Sequence, residues 1–571
     1  MSELYSLAVE PWLPVAMADG SRRFIAIRDI AHVDVLRIDT GRADCDISLT
    51  EFLIGLLAIA LAPEEERDWV KRFHAPPTPD EIDAAIRPFA HALVLDGPGP
   101  RFLQDFEVLQ GKDVRVSSLL MDQPGANTLK DNTDHFVKRG QTGTLSRAGA
   151  AIALLTLQTS APSGGAGHRT SMRGGGPVTT LVIPRLDPNK PPTLWQILWA
   201  NTPCGYRVDP ADAAKAMPWL APTRTSNKNE VTTPGEEGAA HPAQAFFGMP
   251  RRIRLNFLQN EKRLACDLLG GTDDVVVHNY VTCNYGVNYK AWLHPLSPHY
   301  KQKKKKSAET LPLHFKSSKV NYEQWVGLTL NSGDGLRLPA KIVFDFAKDR
   351  AGNLGIKPSE MGQRIGLLAC GYAMNKMKPL DFTEAMLPLI STGDEARDAD
   401  LGTCAYRMVA AAELAASQLL TALKIALFFS DKIDNSKTVL DAPCALFFSD
   451  KIDNSKTVLD APCARFWAET ESGFYDLLRK SAAGENTPEA AYAVLDSTCA
   501  AWLPIIRNAA MRIFDETAPI DAPEDPDIKD IVQARKLLHS SLPGYGRKGK
   551  KLFNGLGMTP PESKKPKGKA A

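Results

Sequence analysis

Between Gly164 and Gly176 the chain reads GGAGHRTSMRGGG. Gly164, Gly165 and Gly167 have no Cβ, so their backbone N–H groups can come close to a ligand. Arg169 and Arg173 follow within a few residues, and a guanidinium fork matches a pair of phosphate oxygens. Close backbone approach beside two forks is chemistry for a polyanion or a phosphorylated ligand. The familiar phosphate-loop spacings do not occur. No G-x-G-x-x-G follows a strand and opens a helix, and no G-x-x-x-x-G-K-[ST] is present. A mobile surface loop would carry the same glycines, so composition alone names no ligand.

Such a loop needs rigid elements on either side. LSRAGAAIALLTLQTS predicts a short apolar helix ending at Ser160, and VTTLVI predicts a strand from Val178. Upstream, NTDHFVKRG at 132–140 is a second basic loop. The expected fold class is α+β: a large mixed α/β N-terminal domain over 1–355, a C-terminal four-helix bundle over 356–545, and a basic disordered tail over 546–571. In the first part, PWLPVAMADGSRRFIAI reads as a hairpin turning at Asp19-Gly20. Ser48 and Glu51 suggest a capping box opening a helix at about 50–62, and Thr78-Pro79-Asp80-Glu81 opens another. LVIPRL, RIRLNFL, VVVHNYV and AKIVFDFA are β-like runs. From residue 357 the apolar spacing turns helical, beginning with PSEMGQRIGLLACGYAM and DFTEAMLPLIS, the latter started by Asp381 and Glu384.

The charge balance, 68 Lys or Arg against 66 Asp or Glu, gives a net +2, so only the local placement of cations can argue for nucleic acid. Nine dispersed cysteines form no C-x-x-C, which argues against a zinc ribbon and for reduced thiols in a cytoplasm. The longest apolar run, Phe52–Ala62, is shorter than the roughly 20 residues of a membrane span. The N-terminus lacks the basic region and apolar core of a secretion signal. No metalloprotease, nucleophile-elbow or Walker pattern is present, which favours a binding protein over an enzyme. The stretch LFFSDKIDNSKTVLDAPCA at 427–445 recurs letter for letter at 446–464. The extra copy is expected in a loop outside the packed bundle.

PSGGAGHRTSMRGGGPVTTLV, HFVKRGQ, EPWLPV, WLHPLSP and GYAMNK together carry a resemblance. In that combination and order, over most of residues 1–545, the chain resembles the large subunit (CasA family) of the type I-E CRISPR surveillance complex, Cascade. The resemblance implies a non-catalytic subunit that reads the protospacer-adjacent motif, or PAM, of double-stranded target DNA from the minor groove. That groove offers a degenerate hydrogen-bond pattern and suits tolerant readout. The implied groove contacts are Gly165, Ala166 and Gly167, with Gly164 and Gly165 as the alternative pair, and Arg169 and Arg173 beside them. Phe136, Val137 and Lys138 match a loop at the crRNA–DNA junction, with Lys where the family commonly has Asn. Asn375 and Lys376 match a wedge that splits the duplex, with Lys where Gln is frequent. Lys290 stands in for the family's lysine finger, while Lys301 and Lys303–Lys306 could track phosphates instead. Implied partners are crRNA, the target duplex, the backbone, crRNA-end and small subunits, and a helicase–nuclease or associated nuclease, with no cofactor, metal or membrane. The alternatives are a nucleotide- or phosphate-binding enzyme using the glycine loops, or a purely structural scaffold.

Overall fold

A computed structural model describes residues 4–63, 65–123, 140–165, 167–235, 240–302, 309–315, 320–332, 334–375, 378–428, 453–483, 488–520 and 528–562. The chain divides into two compact units. The first comprises residues 1–320 and 336–389, the second 321–335 and 390–571.

The first unit opens on β1 (Leu13–Met17), β2 (Arg22–Ile25) and β3 (Val35–Ile38), an antiparallel sheet ordered β2-β1-β3. Gly20 supplies the left-handed turn residue (φ 81°) between β1 and β2, as the Asp-Gly pair suggested. Helix α1 (Ala43–Ala60) follows, and Ser48 and Glu51 lie inside it rather than capping it. The helix starts about one and a half turns earlier than the cap pattern indicated, with Asp44 and Asp46 in its first turn, where negative charge suits the helix N-terminus. Helix α2 (Pro79–Ile86) starts as expected, with the Thr78 side chain accepting from Glu81 N–H and Glu81 returning the bond.

Next come β4 (Lys112–Arg115), α3 (Arg147–Ser160) and β5 (Thr179–Pro184). Ser146 caps α3 by accepting from Gly149 N–H, and α3 packs on α1. β6 (Arg252–Gln259) and β7 (Val275–Cys283) pair antiparallel, and β4 extends the sheet on the other edge of β7. A third antiparallel sheet has the order β9-β8-β5, from β8 (Ile365–Asn375) and β9 (Lys378–Pro388). Leu367 of β8 faces Val182 on one side and Leu387 on the other.

Two readings of short apolar runs are corrected here. Residues 365–388 form the β8–β9 hairpin, not helices, and Asp381 and Glu384 lie within β9. β8 is central and almost wholly buried, so its sequence is continuously apolar and lacks the alternation that marks a half-exposed strand. The converse error falls at AKIVFDFA, where α4 (Lys341–Asp345) continues into a π-helical turn through Arg350. The division between units therefore falls at 389/390, not 355/356.

The second unit contains α5 (Glu395–Phe428), α6 (Asp453–Ala482), α7 (Pro488–Thr517), α8 (Ile528–Ser541) and α9 (Gly546–Gly555). α5 packs against each of the other four. By length and composition α5 could cross a bilayer, yet here its apolar face is taken by its neighbours. The fold is thus α+β with a helical C-terminal unit. Residues 321–335 belong to this unit: Tyr322 stacks on Phe474 at 4.5 Å and meets Trp467 and Trp502 edge-on, and Trp325 packs on Phe474.

The basic tail is folded in part. α9 buries Leu552 and Phe553, and Leu556 follows them inward, while Arg547, Lys548, Lys550 and Lys551 stay exposed. A Cβ on Gly549 would stand 2.4 Å from the Ser541 carbonyl, so glycine is what lets α9 dock on α8. Low overall hydrophobicity concealed three apolar residues at helical spacing. Of the duplicated segment, Asp453–Ala464 builds the start of α6, with Leu459 buried. The identical Asp434–Ala445 lies outside the described residues.

Candidate nucleic-acid interface

The glycine-rich loop at 161–178 leaves α3 and enters β5, and it is fastened along its length. Ser171 N–H donates to Ala161 O at 2.8 Å, and Gly176 N–H to Ser160 O at 3.0 Å. These bonds pinch the base of the loop. Beyond the pinch, Gly164 N–H donates to His168 O and His168 N–H to Gly165 O, closing a tight turn. Gly165 (φ 91°) has open space where a Cβ would stand and is exposed. Gly167 (φ 79°) differs, since a Cβ there would be 2.7 Å from the Asn284 Cβ. Its carbonyl accepts from Tyr285 N–H at 2.7 Å. Gly165 is therefore free to approach a ligand, whereas Gly167 is glycine because a neighbouring loop presses on it. Ala166 lies outside the described residues.

That neighbouring loop, 284–293, is itself held in uncommon geometry. Tyr285 (φ 63°) and Ala291 (φ 59°) are left-handed without being glycine. A Cβ on Gly286 would overlap the Pro250 carbonyl at 1.9 Å. A third loop completes the set: Ser226 N–H donates to Tyr285 O, Thr232 N–H to Asn288 O, and Lys290 N–H to Thr232 O. Beneath them Trp292, Ala240 and Ala245 form an apolar base with Met172 and Tyr289, and the Trp292 indole donates to Thr232 O at 2.8 Å. Three loops that differ widely in sequence position thus form one hydrogen-bonded platform.

Of the nominated cations, Lys290 is exposed on this platform. Arg169 is half-buried and spends its fork on Ser226, Nε to Oγ at 2.8 Å and a terminal nitrogen to the carbonyl at 3.2 Å. It ties the first loop to the third. Arg173 is not a phosphate contact. It is 4 % exposed and donates to Glu51 at 2.5 Å, Ser297 at 2.8 Å and Thr179 at 3.0 Å. Thr179 Oγ1 also donates to Glu51. A carboxylate deep in the apolar face of α1 needs a cation, and the glycine loop supplies it.

The second glycine turn serves packing as well. A Cβ on Gly175 would meet the Pro162 backbone at 2.8 Å, and one on Gly176 would meet the Tyr372 Cβ at 2.6 Å and the Met374 sulfur at 3.1 Å. The loop therefore lies directly on β8. Asn375 follows Met374 and is exposed at the end of β8, so this member of the nominated wedge sits on a hairpin beside the loop. Lys376, like Phe136, Val137 and Lys138, and like Lys303–Lys306, lies outside the described residues; Lys301 is exposed on a short strand.

Three histidines surround the Arg173 clamp: His294, His299 and His314. Burial first and the Arg173 charge second push His294 well down and His299 down to about 4. His314 is also lowered, chiefly by burial, and its ring lies against Gly174. The Nε2 atoms of His294 and His299 are buried without a hydrogen-bond partner. All three are neutral at pH 7.

Sequence reasoning missed Arg251. Its backbone is locked to α3 by Gln158, whose side chain accepts from Arg251 N–H at 3.0 Å and donates to Arg251 O at 2.9 Å. Its guanidinium donates to Pro162 O and lies against Gly164. The adjacent Arg252 pairs with Asp105 at 2.6 Å, and Arg254 donates to the Asp105 carbonyl, whereas Arg251 has no ion pair among the described residues. The run Arg251, Arg252, Arg254 carried a signal, but not which member would lack an acid. Among the described residues no group of three or more His, Cys, Asp or Glu is placed to hold a metal.

A family model described as CRISPR-associated protein Cse1 matches residues 6–513. The fold is similar to Cse1 from Thermobifida fusca, with 17% identity, TM-score 0.64, and 97% of this chain and 98% of that chain covered. It is similar to CasA (Cse1) from Thermus thermophilus at 18% identity and TM-score 0.61, covering 94% and 99%. A chain within a CRISPR RNA-guided surveillance complex matches at 17% identity and TM-score 0.60, covering 94% and 100%.

Proposed function

Because the chain belongs to the CRISPR-associated Cse1 family, we propose that it is the non-catalytic large subunit of a type I-E Cascade complex, working in the cytoplasm with crRNA. On this reading the platform reads the PAM of a double-stranded target from the minor groove. Gly165 offers backbone close to the base edges, and Lys290 reaches in beside it. Asn375, exposed at the end of β8, and the Lys376 that follows it in sequence wedge the duplex open next to the PAM. Phe136, Val137 and Lys138 sit at the crRNA junction. Target sequence is then read by guide pairing, not by this chain. The backbone, crRNA-end and small subunits complete the assembly, and a helicase–nuclease or associated nuclease cuts.

One observation carries the reading: Gly165, exposed and with open space where a Cβ would stand, sits on a hydrogen-bonded three-loop platform whose second glycine turn abuts the hairpin. Rigidity is what minor-groove readout needs, since a misplaced backbone donor loses its geometry. The test is duplex binding by the complex reconstituted with crRNA, using a randomised PAM library. Gly165→Asp places negative charge in the open space of the turn and is expected to weaken binding at least 10-fold. Unchanged affinity and unchanged motif preference reject the assignment. Nucleotide binding by the isolated chain would favour the phosphate-binding enzyme instead, and loss of assembly without any motif effect would favour the scaffold.

A further inference from the structure

We propose that Arg251, Lys112 and His168 form a phosphate subsite at the base of the Gly164–His168 turn, taking one backbone phosphate of the target duplex. This rests on the platform reading above and names the group that would fix the duplex there.

The argument starts with Arg251. A guanidinium removed from water normally stands beside a carboxylate. Here one terminal nitrogen donates to Pro162 O, and among the described residues Nε is buried with no partner and no acid pairs with the group. Burial lowers its pKa to about 10, so it remains charged at pH 7. The other terminal nitrogen lies 2.5 Å from where a Gly164 Cβ would stand, and the bare glycine is what opens that side.

Two more bases belong to this corner: His168 closes the turn, and Lys112 lies on the strand beside the β7 end that leads to Asn284, which packs on Gly167. His168 is held below its ordinary value by burial, then by Arg251, then by Lys112. Among the described residues no carboxylate offsets these charges. Lys112 is exposed at the start of β4, where it pairs across the sheet with Thr282 of β7, two residues before the 284–293 loop. Folding alone gains nothing from gathering two cations around an imidazole. An anion placed among them would reverse the repulsion, and the exposed backbone at Gly165 adds a donor of the kind phosphates use, the Gly164 N–H being held by His168 O. A phosphate contact fixes register without reading sequence, so it complements groove readout at Gly165.

The experiment measures affinity of the reconstituted complex for a duplex with its preferred PAM across a salt series. Arg251→Gln keeps an amide donor near Pro162 O but removes the charge. Lys112→Gln alters only an exposed side chain. Each is expected to weaken binding about 10-fold and to lower the slope of log K against log salt by up to about 0.9, the value of one phosphate contact. Preference among PAM sequences should not change, and Arg251→Lys should restore the slope. Phosphate binding also draws a proton onto His168, so wild-type binding should tighten from pH 7 to pH 5.5, and His168→Gln should flatten that dependence. An unchanged slope in Lys112→Gln and in folded Arg251→Gln overturns the subsite. If Gly165→Asp still weakens binding, only the subsite is lost; if it too has no effect, the platform reading falls with it. Should Arg251→Gln not fold, the Lys112→Gln slope and the His168→Gln pH profile decide.

Discussion

Arg173 and Arg169 show how little residue type says about role. Both follow the glycines and both offer a phosphate-matching fork, yet Arg173 is consumed by Glu51, Ser297 and Thr179, and Arg169 by Ser226. Removing one partner of a buried pair leaves the other charge without compensation. Arg173→Ala should therefore cost about 3–5 kcal/mol, read as a fall in thermal midpoint of the free protein before any DNA is added. A variant that binds DNA poorly while melting like wild type would show that Arg173 touches the ligand after all. The histidines beside it give a pH prediction. His299 is neutral in the fold, with its pKa lowered to about 4 mainly by burial, while the unfolded chain takes up a proton near 6.5. Between those values the unfolded state binds more protons, so stability is present above about pH 6.5 and is lost as pH falls toward 4. At 6 % exposure the loss from His299 is about 3 kcal/mol. His299→Gln should reduce the pH dependence of the thermal midpoint over this window, and an identical profile would exclude His299 as its source.

At the scale of elements, the glycine loop works because α3 and β5 are rigid and β8 lies directly beneath it. Helix and strand flanks were legible from the apolar runs LSRAGAAIALLTLQTS and VTTLVI, whereas the Ser146 cap that opens α3 emerged only in the structure. The β8–β9 hairpin was not, because a strand buried on both faces is uniformly apolar and looks like a buried helix. The duplicated segment makes its prediction at this scale. Asp453–Ala464 already supplies the start of α6. Deleting 19 residues, 427–445, leaves the same letters joined to α5 and α6, and loop length affects stability only logarithmically, about 0.6 kcal/mol per doubling. The deletion should leave the thermal midpoint within about 2 °C and assembly unchanged. A large destabilisation would mean that both copies are packed.

For the whole molecule, the important feature is that residues 321–335 belong to the helical unit although they lie between strands of the first. Tyr322 and Trp325 are buried, and the Tyr322 hydroxyl bonds Thr470 at 2.8 Å. Expressed alone, 390–571 would expose the aromatic faces of Phe474, Trp467 and Trp502 that these residues cover. It should melt early or aggregate, and a peptide spanning 321–335 should bind it and raise its midpoint. If 390–571 folds cooperatively with no response to the peptide, the crossing segment is not part of its core.

By itself the sequence determined what is encoded locally: the Asp19-Gly20 turn, the Thr78 capping box, the glycine loop with its helix and strand, and the motif order that places the chain in its family. The tertiary structure decided which groups are spent and which are available. Glu51 lies 122 positions from Arg173, and Pro162 lies 89 from Arg251. Caps and periodicity act through neighbouring backbone, so a few letters suffice. A charge finds or lacks its partner only when distant segments close on one another, and no spacing rule records that closure.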